Sequence, residues 1–282
     1  MTELLLFFRP RRLRLANRQA AVNLYSAALT LGSDLLLIDL PEGMEPFLSW
    51  PQLSSASTIL EAAVEAGVLP ASSSMLRSLE PLVEGVMKAK RQLDVEVRCY
   101  ADPSLMKDDH ALSMEVPRLL LRASLSSFLE RDLKEWLDLV ERRRMLAHRH
   151  LQSSVGKVAS LALKAKRPIC LAGLEAWELA KQLREVGFKV QLRSAGLPYL
   201  HTPLEVLEKL HSRGLLTQGL LEELVKEQLS YVKEYVMKHE GVDEAHATWT
   251  LSKAPWLLRF KAKLYPGSSP LNVQISRRRG EM

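Results

Sequence analysis

Residues 4–40 read LLLFFRPRRLRLANRQAAVNLYSAALTLGSDLLLIDL, and the order of patterns within them decides the fold class. The unbroken apolar run from Leu4 to Phe8 has the length and character of a buried strand. Between Asn17 and Leu31 the apolar residues Ala20, Ala21, Leu24, Ala27, Ala28 and Leu31 return every three or four positions, which on a helix makes one continuous stripe. Asp34 to Leu40 is a second apolar run. The pattern is strand, helix, strand. A connection of this length joins parallel strands, because strands running the same way need a long crossover and not a hairpin.

Working outward, residues 95–100 and 168–172 read as further strands, and residues 189–193 as a more polar one. Helical spacing is predicted over 57–66, 75–90 and 175–186, with Gly187 suited to a helix C-cap. Thr202-Pro203-Leu204-Glu205 is a capping box with Pro at the first helical position. It opens helices at 204–212 and 217–239, separated by Gly214. Residues 119–163 are charge-rich and helical, with breaks expected at Arg131–Asp132 and at 153–156. A strand pair is expected at 257–265 and 271–275, joined by Pro-Gly-Ser-Ser-Pro. The expected fold is therefore α/β: a mainly parallel sheet flanked by helices, with a helical insertion and a small C-terminal β-containing segment. Its organisation is read as a first sheet part (1–118), a helical insertion (119–166), and a second sheet part with helical and hairpin segments (167–282).

Composition narrows the class further. With 282 residues, 47% hydrophobic and 26% charged, the chain matches globular averages and neither a disordered nor a fibrous protein. No apolar stretch approaches the roughly 20 residues of a membrane-spanning helix, so no membrane partner is expected. Glu3 precedes the first apolar run while Arg9, Arg11, Arg12 and Arg14 follow it, the reverse of a secretory signal's charge order. A cytoplasmic location is the expectation. Cys99 and Cys170 stand singly in strand-like runs without a CxxC partner and read as core thiols. The net charge of +6 favours weak attraction to polyanions.

In parallel sheets ligands bind at the carboxyl ends of the strands. The residues that follow the strands here are Arg9, Arg11, Arg12 and Arg14; Asp39, Glu42 and Glu45; Tyr100 and Asp102; Glu175 and Glu178. Carboxylates beside guanidinium groups can position a substrate, hold a divalent metal or act as acid and base; equally, they can be caps and ion pairs around loops. Neither GxGxxG nor GxxxxGK[ST] occurs, and GxSxG and HExxH are also missing. Arg142, Arg143, Arg144 and Arg149 form a basic run that is either a solvated face or an anion-binding one. Its His148 and His150 lie two apart, which on a helix points them in different directions.

Three segments resemble the TraB/ChaN-like superfamily, which includes pheromone-shutdown proteins, haem-binding lipoproteins and erythromycin esterases. Ser33-Asp34-Leu35-Leu36-Leu37-Ile38-Asp39-Leu40-Pro41-Glu42-Gly43 is similar to its "pDlvliEgp" strand. Glu141-Arg142-Arg143-Arg144-Met145-Leu146-Ala147 resembles its R-N-x-x-M-A helix motif, and Pro168-Ile169-Cys170-Leu171-Ala172-Gly173-Leu174 its "vlvvvGagH" strand and turn. Where the family carries Gly-Glu and a nearby His, this chain has Phe7-Phe8-Arg9-Pro10, and Leu174 and Glu175 stand where the later His would be. The resemblance thus implies a divergent member that lacks the usual Glu and His of the active site.

The reading that follows is an intracellular protein that binds an anionic ligand or partner at the carboxyl edge of its sheet through Arg9, Arg11, Asp39, Glu42 and Glu175, with no cofactor implied. Two alternatives stay open: a nucleic-acid-binding or effector-complex subunit using Arg12, Arg14, Arg142, Arg143, Arg144 and Arg149, and a metal-assisted hydrolase using Asp39, Glu42 and Glu175. Self-association is open as well.

Overall fold

A computed structural model describes residues 2–50, 55–125, 130–196 and 199–260. The first half comprises β1 (Glu3–Phe8), α1 (Arg14–Leu31), β2 (Leu35–Pro41), α2 (Glu45–Ser49), α3 (Ala56–Glu65), α4 (Ser73–Leu93) and β3 (Glu96–Ala101). There follow α5 (Pro103–Leu125), α6 (Glu130–Ala162), β4 (Pro168–Ala172), α7 (Ala176–Glu185) and β5 (Lys189–Ser194). The chain continues through α8 (Pro203–Ser212), α9 (Gln218–Ser230), a π-helix (Tyr231–Val236) and α10 (Val242–Leu258). Among the described residues no helix is long and apolar enough to cross a membrane.

The five strands form one parallel sheet in the order β3-β2-β4-β1-β5, with Leu36 opposite both Val97 and Ile169, and Leu5 opposite Ile169. Side chains alternate strictly across it. Leu5, Phe7, Leu36, Ile38, Ile169 and Leu171 pack against α1, α3 and α4, while Leu4, Leu6, Leu35, Leu37, Cys170 and Ala172 pack against α7 and the second half of α6. Both faces are covered, so β1, β2 and β4 read as unbroken apolar runs. The edge strand β5 has one strand neighbour, and its exposed Lys189, Gln191 and Arg193 explain its polar reading. Cys99 and Cys170 are both free and buried.

Helices α1 and α4 lie side by side. At their closest approach a Cβ on Gly85 would stand 2.4 Å from the Cβ of Ala21, so only glycine lets the two helices come this near.

A separate apolar cluster joins α5 and the first half of α6 to α8, α9, the π-helix and α10, with Trp136 and Trp249 buried at its centre. Helix α6 belongs to both layers: Leu133, Trp136, Leu139 and Val140 enter the helical cluster, and Leu151, Val158 and Ala162 the sheet face. The breaks expected at Arg131–Asp132 and at 153–156 are not present, since α6 runs through both. A stripe that stays apolar from Leu151 to Ala162 keeps the helix against the sheet, and Gly156 faces open space at a cost of only about 1 kcal/mol. The strand expected from residue 257 is overturned at its start, because Leu257 and Leu258 end α10; the remainder of both C-terminal strands lies outside the described residues.

Candidate functional site at the carboxyl edge

Strand β1 ends at Phe8, and the next five residues turn along the carboxyl edge before α1 begins. Arg9 continues the sheet by one bond, its N–H donating to Ala172 O at 3.1 Å, and this places its side chain inward. The guanidinium is fully buried. Its Nε donates to Asn17 Oδ1 at 2.6 Å and its Nη1 to Asp39 Oδ2 at 2.9 Å. Asn17, on the first turn of α1, donates in turn to the carbonyls of Arg11 and Leu13, fixing the loop that carries the arginines.

Arg11 comes from the solvent side and donates through Nε to the same Asp39 Oδ2 at 2.6 Å, while its Nη2 pairs with Glu175. Gly173 makes room for this pair, since a Cβ there would lie 2.6 Å from Glu175 Oε2 and 2.8 Å from Arg11 Cζ. Burial alone would raise the pKa of Asp39, but the charges of Arg9 and Arg11 outweigh it and hold the carboxyl below its usual range. Among the described residues, two atoms of this network have no hydrogen-bond partner: Arg9 Nη2 and Asp39 Oδ1. They are a donor and an acceptor, both buried beneath Arg11, whose side chain is 46% exposed.

Four of the five expected ligand-binding residues, Arg9, Arg11, Asp39 and Glu175, therefore meet in one network. Glu42 does not join it; its carboxylate pairs with Lys157 of α6 at 3.0 Å. Of the other strand-end acids, Glu45 accepts the N–H of Cys99 at 2.8 Å, and Asp102 caps α5 by accepting from Ser104 N at 2.9 Å. The three carboxylates of the hydrolase alternative each face a cation: Asp39 two arginines, Glu42 a lysine, and Glu175 Arg11.

The basic run of α6 is similarly engaged. Arg142 forks onto Glu115 of α5 at 2.8 and 2.6 Å, and Arg143 reaches Glu208 of α8 at 2.5 Å. Arg144 forks onto Glu141, and Arg149 stands 4.0 Å from Asp108. Arg14 pairs with Glu80 at 3.3 Å.

A second cluster borders the arginine loop. Glu205 Oε2 accepts from Tyr199 Oη at 2.7 Å and from Thr202 N at 2.9 Å, with His201 Nδ1 at 3.6 Å. The ring of His246 stacks on Tyr199 with centroids 4.8 Å apart, and Tyr231, the first π-helical residue, packs edge-on against Trp249. Burial would raise the pKa of Glu205, but the bonds and charge of His201, the Tyr199 hydroxyl and the charge of Arg12 bring it down to about 2. Burial pushes His246 toward its neutral form and raises Tyr231 to about 12.

Sequence reading missed this cluster. The capping box was visible, but not that its Glu205 also receives a tyrosine from outside the helix. Asn17 carried a readable signal: it stands in the same stripe as Ala20, Ala21 and Leu24, and a polar residue on an apolar face needs a partner. Comparison with protein families, with curated proteins and with solved structures gave no match.

Proposed function

We propose that the chain binds a small anionic ligand at the carboxyl edge of its sheet, as a divergent TraB/ChaN-like protein that has given up the hydrolase chemistry of those relatives. The observation that supports this is the unpaired donor–acceptor couple, Arg9 Nη2 and Asp39 Oδ1, beneath the half-exposed Arg11–Glu175 pair. Leaving such groups buried and unmade costs roughly 1–3 kcal/mol each, which a ligand that satisfies both would recover. An oxygen of the ligand would accept from Arg9. Asp39 Oδ1 repels a bare anion and accepts from a hydroxyl, so the ligand class is a carboxylate or phosphate with a protic group beside its charged oxygens. Arg11 would supply the second cation once it swings from Glu175. The two buried free thiols fit a reducing compartment, and the reading places the protein in the cytoplasm.

Titration calorimetry with glycolate and with acetate tests this. Glycolate should bind and acetate at least tenfold more weakly, and Arg11→Ala should cost glycolate a further tenfold. Equal affinity for the two acids, or no heat from either at millimolar concentration, would sink the proposal.

A further inference from the structure

Beyond the arginine loop, α1, α4 and the start of α3 border an open groove of about 560 Å³. The Gly85–Ala21 contact holds α1 and α4 together, and the pairs Arg14–Glu80 and Tyr25–Gln92 show that the two helices run in the same direction. Their outer faces therefore meet in register. Arg14 and Arg18, one turn apart on α1, face the groove from one wall; Lys88 and Arg91 of α4 stand on the other. Glu80 and Glu84 line it too, which leaves two cations in excess. Arg14 is engaged by Glu80, and the Lys88 ammonium lies 5.0 Å from the centre of the Tyr25 ring. Among the described residues, Arg18 and Arg91 have no carboxylate at ion-pair distance, in contrast to the arginines of α6.

The end of the groove is formed by Ser55 and Ser57 at the N-terminus of α3. Ser55 caps Thr58 N at 3.2 Å, so the N–H groups of Ala56 and Ser57 stay without an intrahelical partner. Two unengaged guanidinium groups, which bind phosphate oxygens in a fork, thus share one groove with two hydroxyls and the positive end of a helix. The volume lies within the usual range for small-molecule sites and accommodates a ligand of nucleotide size.

We propose that this groove binds the phosphates of a small phosphorylated ligand, with Arg18 and Arg91 as the residues that grip them. The site is independent of the carboxyl-edge network, shares no residue with it, and stands or falls separately. The test is titration calorimetry of the full chain at low salt with inorganic pyrophosphate and with adenosine diphosphate. Both should bind, and Arg18→Ala/Arg91→Ala should weaken both at least tenfold, while Arg144→Ala/Arg149→Ala, which removes an equal charge from α6, binds as the parent does. Both positions are on the surface, and Arg18→Lys/Arg91→Lys, keeping charge but not the fork, should fall in between. Tighter binding of the diphosphate nucleoside than of pyrophosphate would assign the ligand's body to the groove as well; equal binding would assign recognition to the phosphates alone. Failure of both probes to bind, or unchanged affinity in the double alanine variant, overturns the proposal.

Discussion

Asp39 shows how burial changes what a charged residue is for. Read from sequence, it was one carboxylate among several at a strand end; in the fold it is sealed between Arg9 and Arg11 with no exposed side-chain surface. Removing it would leave the Arg9 guanidinium buried without its counter-charge. Asp39→Ala should therefore lower the free energy of unfolding by about 3–5 kcal/mol. The double change Arg9→Met/Asp39→Leu should cost less than Asp39→Ala alone, since it removes both charges together. Urea unfolding measures both, and a single-variant loss within experimental error would show that the pair does not support the fold. The strand ends were legible as places where charge collects. Which acid met which base was not, because the partners come from sites as far apart as Arg11 and Glu175 and no local pattern encodes that pairing.

Between elements, glycine decides more than charge does. The contact of Gly85 with Ala21 sets the separation of α1 and α4, and a methyl on Gly85 would collide with a methyl already there. Gly85→Ala should destabilise the protein by about 1–3 kcal/mol through overpacking, and Ala21→Gly in the same chain should restore most of that loss. Thermal or urea unfolding of the single and double variants is the check; additive losses would show that the two positions do not touch in solution. The five strands of the sheet were readable to within a residue or so, and for β1, β2 and β4 the reason is burial on both faces, which leaves an apolar run; the stretch from residue 257 imitated one and is the end of α10. The course of α6 was not. Its Arg131, Asp132 and Gly156 are local turn signals, and they yield to an apolar stripe that packs on two different layers.

At the scale of the molecule, several buried groups give stability one direction of pH dependence. His246 is held toward its neutral form, so once the unfolded chain takes up a proton near pH 6.5, folding begins to lose ground. Asp39 and Glu205 have folded pKa values below their unfolded ones, the latter about 2 against 4.5. Their contribution is complete above about pH 4.5 and fades as the pH falls toward 2. Unfolding free energy should thus decline in two stages on acidification, and His246→Gln should remove much of the first stage while leaving the second. A stability that stays level from pH 7 down to pH 3 would contradict the burial assigned to all three groups.

The strand order has a consequence for how the chain comes into being. Both neighbours of β1 in the sheet are strands made late, β4 and β5, and β4 also sits between β1 and β2. A ribosome must add every residue from Arg9 to Arg167 before β1 meets its first partner, on the order of ten seconds at roughly 5–20 residues per second. Throughout that interval the apolar β1 has an unpaired backbone on either side, which makes it a target for a chaperone that binds extended apolar chain.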